Sequence, residues 1–163
     1  MVKEKIPLTI AEDKINLRKA SLADVEAISA LTDAAYTKYI PLIGRKPQPM
    51  TADYSRMVID NTIWLLSVET QPVGVLVLVY EPEDLLIYSV AIRPEFQKHG
   101  LGRTLLAWAE QQAIQAGYRS IRLYTNERFI YNINLYKSLG YQETSREALL
   151  NSNRVHMTKK LGM

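Results

Sequence analysis

The sequence predicts a mixed α/β fold whose central sheet is mostly antiparallel and contains one parallel pair of strands. Three apolar segments in the middle of the chain have the length and composition of strands, and their short connections make them antiparallel neighbours. A long helical pattern then joins the third of these strands to a fourth, which makes that pair parallel with a right-handed crossover. Together with the flanking segments, we expect about six to seven strands and about four helices.

The N-terminal segments predict a strand followed by a helix. Residues 1–14 are charged and lack a clear period, and we interpret them as a tail or an edge segment. Apolar and polar residues alternate in "INLRKA" (15–20), as in a half-buried strand. In "SLADVEAISALTDAAY" (21–36), apolar residues recur at helical spacing, and Ser21 with Asp24 three residues later is typical of a helix N-terminus.

A proline-rich stretch over residues 37–61 predicts a structured loop and a second, short helix. Its breakers of regular structure are Pro41, Gly44, Pro47 and Pro49. We expect the short helix to begin after Thr51, which would cap it, and to turn Tyr54, Met57 and Val58 inward.

The three central strands are predicted at residues 62–69, 73–81 and 85–93. Gln71-Pro72 and Pro82-Glu83-Asp84 are the breakers that separate them. The middle strand is apolar at successive positions, so we expect other elements to cover both of its faces.

The C-terminal half predicts two helices and three strands. "GRTLLAWAEQQAIQAG" (102–117) has apolar residues at helical spacing, and "SIRLYTN" (120–126) has the pattern of a strand parallel to the preceding one. A last helix is predicted for "FIYNINLYKSLG" (129–140), with final strands around 141–149 and 154–160.

Composition excludes several classes of protein. The 163 residues suit one domain (1–163), and a hydrophobic fraction of 47% is too high for a disordered chain. No stretch approaches the ~20 apolar residues of a membrane span. The N-terminus lacks the apolar core of a signal peptide, so we expect a cytoplasmic protein with no membrane partner.

The ionisable residues narrow the chemistry further. Without any cysteine, and with only His99 and His156 far apart in the sequence, we expect no disulfide, no cysteine nucleophile and no metal site. The formal net charge is +3, and the basic residues are scattered rather than clustered. We therefore expect no nucleic-acid partner.

The segment "RPEFQKHGLGRT" (93–104) combines two glycines with basic residues just before a predicted helix. It fails the dinucleotide-binding fingerprint, because Leu105 stands where a third glycine belongs, and the P-loop, because Arg103-Thr104 follows Gly102. The first N–H groups of a helix lack internal partners and lie at the positive end of its dipole. The segment therefore predicts a diphosphate site, and an ordinary turn with solvated charges is the alternative.

Two motifs resemble the GNAT superfamily of acetyl-CoA-dependent N-acetyltransferases. The superfamily pattern [Q/R]-x-x-G-x-[G/A] is filled by Gln97 to Gly102 within "VAIRPEFQKHGLGRTLL", after a strand of the expected type, and the second element is "LYKSLGY" (135–141). The order of predicted elements is also similar to the GNAT fold. The stretches "YIPLIGRKPQPMTADY" (39–54) and "YNINLYKSLGYQETSR" (131–146) resemble one bacterial branch.

The resemblance implies transfer of an acetyl group from acetyl-CoA to a primary amine of a small molecule, peptide or protein, with CoA as product. The pantetheine arm would lie where the strand ending at Ile92 diverges from "SIRLYTN", and a main-chain N–H near Ile92 would polarise the thioester carbonyl. The residues implied in cofactor binding are Val90, Ala91, Ile92, Gln97, Lys98, His99, Gly100, Leu101, Gly102, Arg103, Thr104, Asn126 and Asn132.

The resemblance also assigns chemistry to Tyr136, which aligns with the family's proton donor to the departing CoA thiolate. A phenol suits that role, and a core tyrosine is the alternative. Asn132 and Asn126 are the two candidates for an amide that bonds the pantetheine, because Phe129 occupies the family's usual asparagine position.

The general base is left open by the sequence. Leu86 stands where some family members have a strand glutamate. The remaining candidates are a water relay, His156, which we expect to face solvent from its strand, and the carboxylates Glu81, Glu83 and Asp84.

The proline-rich loop, with the residue before it, is the predicted wall of the acceptor site and contributes Tyr36, Tyr39, Arg45, Met50 and Tyr54. Arg45 is a candidate for binding a substrate carboxylate. Alternatively, the prolines merely stiffen a surface loop. A catalytically silent GNAT-fold module that binds acyl-CoA as a sensor or interaction partner is the competing function, since the strand glutamate is missing. A homodimer is compatible with the sequence but not required by it.

Overall fold

The computed structural model describes residues 10–162, which contain a seven-stranded sheet in the order β1-β2-β3-β4-β5-β7-β6. The strands are β1 Ile15–Lys19, β2 Thr62–Val68, β3 Gln71–Tyr80, β4 Leu85–Ile92, β5 Ser120–Asn126, β6 Gln142–Ala148 and β7 Asn153–Lys160. The helices are α1 Val25–Tyr36, the single turn α2 Ile40–Ile43, α3 Tyr54–Asp60, α4 Leu101–Gln115 and α5 Ile130–Ser138. Of the predicted tail, residues 1–9 lie outside the described range.

The predicted fold class is confirmed. Strands β4 and β5 are parallel, and every other neighbouring pair is antiparallel. Helix α4 connects the parallel pair, as the long apolar pattern between them predicts.

The central strand β3 is buried on both of its faces, as its continuous apolar run predicts. Leu76 and Leu78 belong to the core beneath α4, whereas Val75 and Val77 belong to a second core beneath α1 and α3. All four are fully buried. The alternation follows from the two-residue period of a strand, so β3 holds the two helical layers together.

Two local predictions are wrong. The turn between β2 and β3 uses Glu69, which adopts a left-handed φ of 56°, so Gln71 and Pro72 lie inside β3 rather than breaking it. Asp53 caps α3 by accepting a hydrogen bond from the Arg56 N–H at 3.3 Å, because Thr51 is already part of a 3₁₀ turn.

Strands β4 and β5 pair over a short length only. Leu85 to Ile87 lie opposite Ile121 to Leu123, and beyond that point the two strands diverge. The register of β4 against β3 also shifts there, since Val77 lies opposite Ser89 while Leu78 lies opposite Ile87. Tyr88 is therefore the extra residue of a β-bulge, a feature that bends a strand and redirects its side chain.

The described residues include no helix that is both long and apolar enough to cross a membrane.

The start of α1 is fixed by the carboxylate of Asp24, which accepts hydrogen bonds from four donor groups of Arg18 and Ser21. A 3₁₀ turn, Leu22–Asp24, leads into the helix, and the Asp24 carboxylate accepts from the Ser21 N–H at 2.8 Å. The two guanidinium NH₂ groups of Arg18 each donate to it at 2.9 Å. These hydrogen bonds, Arg18 first, lower the pKa of Asp24 to about 2.

Replacing Asp24 by Ala is expected to lower the free energy of unfolding by about 1 kcal/mol at pH 7, because the cap and the Arg18 pair are both lost. The folded-state pKa lies below the ordinary 3.8, so this stabilisation is full above about pH 4 and disappears as the pH falls toward 2. Urea unfolding at pH 7 and pH 3 measures both effects. Asp33→Ala, on the exposed face of α1, is the control, and a loss that is unchanged at pH 3 would contradict the assignment.

Candidate functional site

A cavity of about 810 Å³ occupies the divergence between β4 and β5. Its walls are the end of α1 with the loop after it, the C-terminal parts of β4 and β5, the start of α4, and α5. The bulge at Tyr88 and the short parallel pairing create this space, because a fully paired β4 and β5 would close it.

The loop before α4 has the backbone geometry of an anion cradle. Lys98 and Gly100 adopt left-handed φ values of 69° and 84°, and α4 begins directly afterwards. At both Gly100 and Gly102, no atom lies within 4 Å of the place a Cβ would occupy, so the first helical N–H groups are approachable from the cavity. Lys98 and Arg103 line the same end.

Three residues of the predicted cradle do not line the cavity. The Thr104 N–H and hydroxyl both donate to the Gly100 carbonyl, at 3.0 and 3.1 Å, as part of the helix. Leu101 is buried in the core beneath α4. His99 lies to the side, and its Nδ1 is buried without a hydrogen-bond partner among the described residues.

Gln97, the first residue of the motif, joins the loop to the end of β4. Its amide nitrogen donates to the Ile92 carbonyl at 2.9 Å, and its amide oxygen accepts from the Lys38 Nζ at 3.0 Å. This side chain therefore positions the cradle relative to the strand.

The cavity edge of β4 presents main-chain groups. The Val90 carbonyl accepts from the Tyr36 hydroxyl at 3.2 Å, and the Ile92 carbonyl accepts from Gln97. The Ala91 carbonyl instead faces β3, at 3.5 Å from the Cβ position of Gly74. A carbonyl has two lone pairs, so Val90 and Ile92 keep acceptor capacity toward the cavity.

Tyr136 on α5 lines the cavity with a hydroxyl that has no hydrogen-bond partner between residues 10 and 162. Its ring packs edge-on against Tyr141, with centroids 6.0 Å apart. Burial, and then the nearby Tyr36, Tyr39 and Tyr141, raise the pKa of Tyr136 well above the ordinary value of a phenol. The group therefore stays protonated at neutral pH and is available as a donor.

The two candidate amides differ in what they contact. Asn126 is buried, donates to the Ser152 hydroxyl at 2.8 Å and accepts from the Arg128 N–H at 2.9 Å, so it shapes the turn after β5. Asn132 is half-buried and donates to the Tyr39 hydroxyl at 3.1 Å. Both line the cavity.

Only part of the predicted acceptor wall is found at the cavity. Tyr36, Tyr39 and Arg45 line it, but Met50 and Tyr54 do not. Tyr54 is 3% exposed in the core beneath α1, and its hydroxyl donates to the Pro49 carbonyl at 2.6 Å. The prediction of Tyr54 is wrong because helix α3 turns that face toward the sheet.

The lining residues that the sequence analysis missed include Tyr88, Tyr124 and Arg154. Burial, with Tyr124 and Tyr36 nearby, raises the pKa of Tyr88 to about 12. The guanidinium of Arg154 lies 4.3 Å from the centroid of the Tyr124 ring. The two tyrosines could have been proposed from the sequence, because each lies near the end of one of the two strands predicted to be parallel neighbours. The bulge that directs Tyr88 has no signal in the sequence.

The candidate bases lie elsewhere. Glu81 and Asp84 form ion pairs with Arg122 at 2.6 and 3.2 Å, near the beginning of β4. His156 contacts the Glu147 carboxylate at 3.0 Å. None of these three candidates lines the cavity, nor does Glu83 or the buried Leu86.

The charged side chains that line the cavity are all basic. Its ionisable lining residues other than tyrosines are Lys38, Arg45, Lys98, Arg103 and Arg154. Within the described part of the chain, no aspartate, glutamate or histidine lines it, and no group of three or more potential metal ligands is present. The cavity therefore favours anions.

Comparisons with protein-family models and with solved structures agree on one family. The model described as the acetyltransferase (GNAT) family matches residues 28–141, which include the cradle, β4, β5 and α5. Among curated proteins, none matches the sequence significantly.

Several solved structures share the fold. The ribosomal-protein-S18-alanine N-acetyltransferase of Escherichia coli has a TM-score of 0.77 at 17% identity, over 91% of this chain and 95% of that one. The PaiA N-acetyltransferase of Thermoplasma acidophilum, in complex with coenzyme A, has a TM-score of 0.75 at 18% identity over 90% and 98%. A GNAT family acetyltransferase of Elizabethkingia anophelis with acetyl-CoA bound has 0.71 at 17% over 92% and 100%. At these identities the likeness concerns the fold alone.

Proposed function

The chain belongs to the acetyltransferase (GNAT) family, and we propose that it transfers an acetyl group from acetyl-CoA to a primary amine by direct attack on the thioester. The observation that supports this most is the joint placement of a glycine-lined helix start, an open strand edge and an unpaired tyrosine hydroxyl around one cavity. The CoA and acetyl-CoA complexes of two structural neighbours agree with that choice of donor.

The donor fits the cavity in an extended orientation. The pyrophosphate would accept from the first N–H groups of α4, between Lys98 and Arg103, where the helix dipole favours negative charge. The pantetheine amides would pair with the main-chain groups of Val90 and Ile92, as an added strand does. Asn132 is the better placed of the two amides to bond the arm, because it is half-buried and bonds one hydroxyl, that of Tyr39, whereas Asn126 is buried between two partners.

The reaction follows from this placement. The neutral amine nitrogen attacks the thioester carbon, and a main-chain N–H of β4 near Ile92 stabilises the oxyanion of the tetrahedral intermediate. The nitrogen releases a proton to water, and the C–S bond then breaks. The departing thiolate takes a proton from the Tyr136 hydroxyl, which solvent later restores.

A water relay replaces a side-chain base in this proposal. The lining residues in the described chain include no carboxylate or imidazole. The surrounding cations favour the neutral amine over its ammonium form, because like charges disfavour the protonated state. The incoming amine would therefore lose its proton before the attack rather than to the protein.

The alternative function, a silent acyl-CoA-binding module, is favoured by one observation, the same lack of a carboxylate or imidazole at the cavity within residues 10–162. The two functions differ in a simple way, because only the enzyme releases CoA faster when an acceptor amine is added. Acetyl-CoA binding without amine-dependent thiol release would favour the module.

Gly102→Val tests the phosphate cradle. A Cβ at this position meets no atom within 4 Å, so the fold should tolerate it, but the side chain would fill space that the pyrophosphate needs. We expect CoA affinity, measured by calorimetry, to fall about tenfold or more. Ala107→Val, on the exposed face of α4, controls for valine in this helix, and equal affinities in the two variants would contradict the cradle.

Tyr136→Phe tests the proton donor. Removing the hydroxyl should lower kcat about 10²-fold while CoA affinity stays close to that of the unmodified protein, because only the departing thiolate needs the proton. Tyr141→Phe is the matched control, since that neighbouring hydroxyl is buried, has no hydrogen-bond partner among residues 10–162 and does not line the cavity. If the Tyr136 variant retains full turnover, the residue has no part in the chemistry.

A further inference from the structure

We propose that the acceptor is a small amine that carries a carboxylate, such as a free amino acid, and that Arg45 and Arg154 bind this carboxylate. The inference rests on the acetyltransferase function proposed above and names the substrate class of the same cavity. The residues that support it surround the bulge at Tyr88, at the closed end of the strand divergence, where the pairing of β4 with β5 stops.

This closed end is an aromatic slot with a polar rim. Tyr36 from α1, Tyr88 from the bulge and Tyr124 from β5 are mutual neighbours that influence one another's pKa. Above them, the amide oxygen of Gln48 accepts from the Tyr124 hydroxyl at 3.4 Å and from an Arg154 NH₂ group at 3.0 Å. The glycine cradle lines the same cavity but follows the C-terminal end of β4, whereas the bulge lies next to the last paired residues of β4 and β5.

Arg154 is held in a fixed orientation in this slot. Its guanidinium stacks on the Tyr124 ring, bonds Gln48 and lies 3.4 Å from the Glu147 carboxylate. Glu147, in contrast to Tyr124 and Gln48, does not line the cavity. A planar guanidinium held by stacking is well suited to bind a planar carboxylate with two parallel hydrogen bonds.

One guanidinium nitrogen of Arg45 lacks a hydrogen-bond acceptor among the described residues. Its side chain lines the cavity, and its Nη1 is buried from solvent with no hydrogen-bond partner among residues 10–162. A buried guanidinium N–H without an acceptor is unfavourable, and a ligand oxygen would satisfy it. Gln48, three residues further along the same loop, accepts from Arg154, and all three side chains line the same cavity.

The positive charge of the residues that line the slot favours an amine that carries an anionic group over a diamine or polyamine. Diamines and polyamines need carboxylates around their second cationic group, and none lines the described cavity. An amino acid brings one carboxylate, which would compensate Arg45 and share Arg154 with Glu147, and its amine lies within two bonds of that carboxyl carbon. Its side chain would contact the tyrosines.

The test compares acceptors that differ only in the carboxylate. Phenylalanine, phenylalaninamide and phenethylamine share a side chain and an amine, and spermidine represents the polyamines. With acetyl-CoA fixed, we expect kcat/KM for the amino acid to exceed those of the other three about tenfold or more. Equal or higher values for the amide, the decarboxylated amine or spermidine would overturn the proposal.

Arg45→Gln should remove most of that preference and leave the KM for acetyl-CoA unchanged, because the donor is bound at the other end. Lys46→Gln is the matched control, since this exposed neighbour carries the same charge on the same loop and does not line the cavity. An equal loss of preference in both variants, or in neither, would contradict a specific contact by Arg45.

A binding measurement separates this proposal from the acetyltransferase function. Calorimetry of N-acetylphenylalanine and its amide with the CoA-bound protein should show binding of the acid and about tenfold weaker binding of the amide, with the difference lost in Arg45→Gln. If that pattern appears without any amine-dependent thiol release, the carboxylate site stands and the transfer function fails. Thiol release with no preference for the acid overturns the carboxylate site alone, and neither binding nor release overturns both.

Discussion

The site depends on the point where β4 stops pairing with β5. A β-bulge at Tyr88 and only a short parallel ladder leave the C-terminal parts of the two strands apart, inside a sheet that is otherwise continuous. Unpaired strand edges within a sheet are costly unless something satisfies them. Tyr36 and Gln97 partly do so at Val90 and Ile92, and an extended ligand with amide groups can complete the pairing.

The rest of the molecule supports that opening from both faces. Helix α4 connects β4 to β5, so the strand whose edge is open leads directly into the helix whose N-terminus is free. Helix α1 packs on the opposite face and contributes Tyr36. The cavity is thus lined by residues from both helical layers, with the strand divergence between them.

Sequence patterns predicted the features that depend on local order along the chain. The strand and helix periods, the cradle motif before α4 and the placement of Tyr136 on α5 are of this kind. The bulge is not, because it is a mismatch in register with β3 that no local pattern shows. Tyr54 was predicted both to face inward from α3 and to line the acceptor site, and the structure places it only in the core beneath α1. Likewise, the pairing of Glu81 and Asp84 with Arg122 depends on a strand that lies much later in the chain.

Amide hydrogen exchange with and without acetyl-CoA tests the central claim most directly, namely that the donor pairs with the open edge of β4 and binds the start of α4. Exchange should slow at residues 88–93 and 98–104 together, because the ligand would bond the main-chain N–H groups of both segments. The antiparallel ladder between β1 and β2, none of whose residues lines the cavity, should exchange at an unchanged rate. Binding of acetyl-CoA with no slowing in either segment would contradict the account.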